Sequence, residues 1–76
     1  MKVSLLDTVV LARDIPEHSL RQGDVGAVVE IYEPDAIEVE FLTGSGETVA
    51  LLTLAVSDIR AIADTEILAA RSLKAA

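Results

Sequence analysis

The chain has 76 residues and a formal net charge of −7, from 13 acidic against 6 basic side chains, with no cysteine. That length holds one domain, the lack of cysteine excludes disulfides and thiolate metal sites, and the acidity favours solubility while repelling phosphate backbones. A chain this short buries only about 60–65% of its extended surface, so its margin of stability is small and a second copy or a partner would add to it.

The apolar run after Lys2 breaks at Asp7 and again at Arg13-Asp14, which argues against a signal peptide. No run is long enough to span a bilayer, and the expected location is the cytoplasm. Thr8 to Arg13 is rich in β-branched residues and predicts a first strand. Pro16 cannot donate to a ladder, so Asp14 to Asp24 is expected to be an irregular loop pinned by Ile15 and Leu20. Val25 to Tyr32 and Ala36 to Leu42 predict the second and third strands. Thr43-Gly44-Ser45-Gly46-Glu47 is a turn and Thr48 to Leu54 a fourth strand. A single turn at Ala55 to Asp58 leads to a short fifth strand, Ile59 to Ala63. Only Tyr32 and Phe41 are aromatic although 51% of the chain is apolar, so the core is expected to be aliphatic, as suits pleated strands.

The tail changes character. Asp64 suits a helix N-cap, Glu66 a first turn, and Arg71 and Lys74 a last turn, while Ile67, Ala70 and Leu73 share a helical stripe. The expectation is residues 1–63 as a barrel domain and 64–76 as a short helical tail. Such a helix is marginal by itself. Three fates stay open for it: packing on the barrel, contributing to an oligomer, or fraying.

Parity constrains the middle hairpin. Ala27, Val29 and Ile31 share one face of the second strand, and Ile37, Val39 and Phe41 one face of the third. Opposed residues point to the same side of a sheet, which pairs Ile31 with Ile37 and Val29 with Val39 across a loop of Glu33-Pro34-Asp35. Asp35 is the expected left-handed residue of that loop. Glu30 then opposes Glu38 and Val28 opposes Glu40. The expected outer face therefore carries Val28, Glu30, Tyr32, Glu38 and Glu40.

Five short strands, a loop after the first, tight hairpins and one turn before the last strand predict an all-β, SH3-like five-stranded small barrel. A barrel of this size bends its strands sharply. Gly23 and Gly26 are expected to serve that bending: Gly23 where the loop enters the second strand, Gly26 where a side chain would crowd a crossing. A phosphate cradle is the competing reading. It lacks the third glycine of a dinucleotide fingerprint, has no following helix and contains no G-K-[ST].

Five segments carry a family resemblance: L-D-x-V-V-L at Leu6 to Leu11, I-P-E-H-x-L at Ile15 to Leu20, G-D-x-G-x-V-V-E-x-Y at Gly23 to Tyr32, E-V-E-F at Glu38 to Phe41, and A-L-L-T-L at Ala50 to Leu54. With these the chain resembles the bacterial domain of unknown function 4926 family over about Leu5 to Ile62. The resemblance implies a small SH3-like barrel and no activity. A weaker likeness, through the G-x-x-G-x-V core, is to the KOW modules of ribosomal and transcription-elongation proteins. Those carry basic loops for RNA, whereas here Arg21 and Arg60 face eight acidic residues between Leu20 and Ile62.

His18 is the only histidine. A general base would need a nucleophile or water in a rigid pocket, and a small barrel is filled by its own side chains. His18 is expected to hydrogen-bond locally in its loop. Asp14, Glu17, His18 and Asp24 match no metal-ligand spacing, so no metal and no cofactor is expected. The functional expectation is a non-catalytic protein-interaction module, accessory or antitoxin-like, whose partner is a protein with a basic or mixed surface. Its candidate interface is the outer face just described. Self-association is compatible with the short chain; nucleic-acid and membrane binding are not expected, and a KOW-like nucleic-acid module is the alternative.

Overall fold

The period-two alternation of apolar and polar residues through the middle of the chain is the pattern of half-buried strands. The computed structural model describes residues 2–74. Its strands are β1 (Thr8–Leu11), β2 (Val25–Tyr32), β3 (Ala36–Leu42), β4 (Thr48–Ala55) and β5 (Ile59–Ala61). They form one five-stranded antiparallel sheet in the order β4-β3-β2-β1-β5. Short 3-10 turns lie at Pro16–His18 and Val56–Asp58. Among the described residues no helix is long and apolar enough to cross a membrane.

One aliphatic cluster draws on all five strands: Val9 and Leu11 of β1, Val28 of β2, Ile37, Val39 and Phe41 of β3, Ala50 and Leu54 of β4, and Ile59 of β5. A single layer can bury one apolar face this fully only by curling over it. Ile15 and Leu20 of the first loop close the end of the cluster. They pair across an isolated bridge, and both are buried.

The sheet departs from the expected barrel. β4 and β5 are its two edges and do not pair, so the barrel is not closed. The short strands explain this: β1 spans four residues and β5 three, too few to be shared between both halves of a barrel. The first strand ends at Leu11 rather than Arg13, where the Ala12 N–H turns to the Asp58 carbonyl at 2.8 Å. Arg13 Nε then donates to Asp58 Oδ1 at 2.9 Å.

The hairpin loop is Glu33-Pro34-Asp35, and Ile31 pairs with Ile37 and Glu30 with Glu38 as parity requires. No residue of that loop is left-handed, Asp35 included; the Glu33–Pro34 peptide is cis. Beyond Glu30 the register shifts, so that Val28 rather than Val29 opposes Val39. Val28 is fully buried, which corrects its expected place on the outer face. The cause is a parity conflict within β2. Pairing of Gly26 with Val9 turns Gly26 and Val28 inward, whereas pairing with Ile37 turns Ile31 inward. Even and odd positions can share a face only across one extra residue.

No C-terminal helix forms among the described residues; Ala75 and Ala76 of the expected helical tail lie outside them. The residues that would have charged its two ends are used elsewhere. Asp64 and Thr65 make a turn, closed by the Glu66 N–H to the Ala63 carbonyl at 3.0 Å. Both Glu66 carboxylate oxygens accept from Arg60 of β5, at 2.7 and 2.8 Å. Further on, Arg71 Nε donates to Asp24 Oδ1 at 2.8 Å, and Arg71 Nη2 to Asp24 Oδ2 and to the Ser19 carbonyl. The tail is thus an irregular strap held at two points. Ile67 of the expected stripe is 88% exposed, so no apolar face was available to pay for a helix.

These clamps set a pH prediction. The Arg60 guanidinium and the Ala63 N–H hold the Glu66 carboxyl at about 2, against an ordinary 4.5. Arg71 likewise draws Asp24 below its ordinary value, against the opposing effect of burial. A carboxyl depressed in the folded state contributes fully above its unfolded value and loses that contribution as pH falls through the folded value. The strap is therefore expected to stay fastened on acidification from neutral pH to about 5, and to loosen only below the usual carboxylate range. Carboxyl NMR should place the Glu66 midpoint at about 2; a midpoint at the ordinary value would show that the Arg60 clamp does not form.

Candidate functional site

The outer side of the curled sheet has two unlike halves. Over β1 and β5 it is covered by the strap. Val10 points away from the core cluster yet is only 5% exposed, because the chain from Glu66 to Ala69 passes beside Val10, Val25 and Arg60. Over β2, β3 and β4 it is open. Glu30 and Tyr32 are exposed there, Glu38 and Glu40 half-buried.

Of the five residues expected on this face, the structure brings four together: Glu30, Tyr32, Glu38 and Glu40. Val28 is not among them. Glu30 lies directly across from Glu38, an arrangement in which like charges repel. Glu38 is drawn away from its neighbour by Thr53, whose Oγ1 donates to Glu38 Oε1. Thr48 Oγ1 does the same for Glu40 Oε2 at 2.9 Å. Both threonines stand on β4, so both carboxylates lean toward that strand. Tyr32 is 45% exposed opposite Ala36, which leaves one flank of its ring open.

Sequence reasoning missed Leu51 and Thr53 of β4 as members of the same face. Their neighbours Ala50 and Leu54 are buried in the core cluster, so Leu51 and Thr53 must point out. Leu51 is 52% exposed beside Glu40, and Thr53 is opposite Glu38. The alternation Ala50-Leu51-Leu52-Thr53-Leu54 carried the signal, but an almost wholly apolar run hides which set faces in.

The two glycines have separate tasks. Gly23 has φ +96°, a left-handed backbone that side chains disfavour. It sits where its N–H reaches the Leu11 carbonyl at 2.9 Å. Gly26 has an ordinary backbone but no room. A Cβ there would lie 2.6 Å from Val39 Cγ1 and 2.9 Å from Phe41 Cε1.

His18 is exposed at the end of the first 3-10 turn. Its backbone N–H closes the turn on the Ile15 carbonyl at 3.0 Å. Among the described residues its side chain makes no hydrogen bond, so the expected local one is not formed; the backbone closes the turn. Asp14 accepts from the Gln22 N–H and Asp24 is taken by Arg71. Among the described residues no three of His, Asp or Glu gather where they could hold a metal ion.

A groove of about 640 Å³ runs between residues 69–74 of the strap and the end of the β3–β4 hairpin, with Val25, Phe41, Leu42, Val49 and Leu73 among its apolar walls. Of its charged residues, Asp24 and Arg71 pair with each other, and Lys74 stands at the end of the strap.

Residues 5–61 match the model of a family described as Domain of unknown function (DUF4926). No curated protein matches the chain, and no solved structure does.

Proposed function

The chain belongs to the domain of unknown function 4926 family, and from that premise we propose that it is a non-catalytic protein-interaction module whose partner presents a basic or mixed surface. The observation that carries this reading is the open half of the outer face. It combines Glu30, Glu38 and Glu40 with the exposed ring of Tyr32 and the exposed side chain of Leu51. Tyrosine is favoured at protein interfaces, and a cation set over opposed carboxylates relieves their repulsion. The meander order, with a 3-10 turn between β4 and β5, supports reading the sheet as an SH3-like arrangement left open at β4.

The test is charge reversal on a face that the core does not use. The triple variant Glu30→Lys, Glu38→Lys, Glu40→Lys should keep its far-ultraviolet circular dichroism. It should lose the proteins that the wild-type chain captures from a cell extract, with a loss of about tenfold or more in affinity. Capture of the same proteins at equal affinity by both chains would remove the acidic face from the interface. Retention of RNA or DNA by the wild-type chain, falling steeply with added salt, would favour a nucleic-acid module instead.

A further inference from the structure

β4 is an eight-residue edge strand, Thr48 to Ala55, with no charged residue and no proline. Proteins blunt such edges with charges, proline or a covering segment. The strap covers β1 and β5 and reaches the hairpin end of β4 at Val49, but it leaves Leu51 and Thr53 exposed.

The hydrogen-bond phase shows which backbone groups are on offer. The Val56 N–H donates to the Asp35 carbonyl at 2.8 Å, just outside the pair Ala36–Ala55. That pair is therefore a non-hydrogen-bonded one, and hydrogen-bonded pairs alternate with it. Ala50, Leu52 and Leu54 then turn their N–H and C=O groups toward β3, while Leu51 and Thr53 turn theirs to the open edge. At the end of the strand Asp58 Oδ2 accepts the Ala55 N–H at 3.2 Å, which caps the edge there. No hydrogen bond from outside the sheet reaches the backbone of Leu51 or Thr53 among the described residues.

We propose that the open edge of β4 at Leu51 and Thr53 takes up an extended segment of the partner as a sixth strand, and that this segment carries Lys or Arg at alternate positions. The first half rests on unpaired backbone groups. The second rests on charge. An added strand lies about 10 Å from β3, two strand spacings, within joint reach of a long cation and a glutamate. Glu38 and Glu40 already lean toward it, held by Thr53 and Thr48 of β4 itself. Pairing β4 with β4 of a second copy would instead bring two chains of net charge −7 together along their acidic flank, so a basic partner is the better occupant.

This inference rests on the interaction-module reading, and the experiment separates the two. The probe is a short synthetic peptide alternating lysine and valine, with a glutamate–valine peptide as its counterpart. The lysine peptide should slow amide hydrogen exchange at Leu51 and Thr53 about tenfold, with little change at Leu52 and Leu54, whose amides are already in the ladder. The glutamate peptide should not. Glu38→Gln with Glu40→Gln, which keeps the hydrogen bonds but removes the charge, should weaken the lysine peptide about tenfold. Leu51→Pro removes an outward N–H and spares the β3 ladder, and it should abolish protection. The same peptide N-methylated at alternate residues should not bind, and this arm leaves the protein untouched.

If the Gln variants weaken binding while N-methylation and Leu51→Pro do not, the edge is overturned and the acidic face survives as a docking surface. If none has an effect, both readings fall. Protection at Leu51 and Thr53 that grows with protein concentration alone would overturn the basic partner in favour of a second copy.

Discussion

Gly26→Val should lower the stability of the fold by about 3 kcal/mol or more, at the upper end of what overpacking costs. The Cβ alone would stand 2.6 Å from Val39 Cγ1 and 2.9 and 3.0 Å from two carbons of the Phe41 ring. Neither neighbour can yield. Val39 is fully buried and Phe41 is 3% exposed, and both are fixed by the ladder to β4, opposite Leu52 and Ala50. A domain of this size has a total stability near the low end of roughly 5–15 kcal/mol, so such a loss leaves little margin. Urea unfolding should show the midpoint falling by about 2 M or more at unchanged slope. Gly26→Ala should lose less, and Phe41→Leu should restore part of what alanine costs, a coupling that a double-mutant cycle measures. Full stability in Gly26→Val together with lost nucleotide binding would falsify the packing role and reinstate a phosphate cradle.

The elements that the sequence made legible are those set by local chemistry. The alternation in Ile37-Glu38-Val39-Glu40-Phe41 admits one inward set, and β3 follows it without exception. Gly-Ser-Gly marks the turn before β4, and Pro16 opens the first 3-10 turn. What the sequence hid depends on contacts between distant segments. Glu66 and Arg71 have the residue types of helix ends, but Arg60 and Asp24, residues from β5 and the first loop, capture them. No local pattern shows that a guanidinium 47 positions away is within reach of Asp24. A charge near a helix end contributes about 0.3–1 kcal/mol, too little to hold a short helix while Ile67 and Leu68 stay mostly exposed.

The same distinction runs through the candidate face. Glu30 opposite Glu38 follows from the loop length alone, and four of the five expected residues meet there. Leu51 and Thr53 were obscured because a run of apolar residues has no visible phase. The open edge of β4 was hidden more deeply, since it depends on the sheet not closing. A face can be read from alternation along one strand; an edge exists only when the strand that would have covered it is too short. β5, three residues long and paired with β1, leaves β4 uncovered.

Val28→Asp is the sharpest test of the register shift. In a hairpin without the extra residue, Val28 would face water opposite Glu40, and a new carboxylate there would change stability by about 0.5 kcal/mol. In the observed register Val28 is fully buried opposite Val39. Its neighbours in the core are Val9, Leu11 and the aliphatic residues of β3, and no buried polar side chain is present among the described residues. An aspartate placed there finds no partner, so it must either stay charged without solvent or take up a proton at a cost, several kcal/mol in either case. The chain should be largely unfolded at neutral pH and regain structure as pH falls toward the raised pKa of the new carboxyl, since the folded state then binds the extra proton. Glu30→Asp, one strand position past the shift and exposed, should unfold within experimental error of the wild type. Near-equal denaturation midpoints for Val28→Asp and Glu30→Asp would show that β2 runs straight, with Val28 outside.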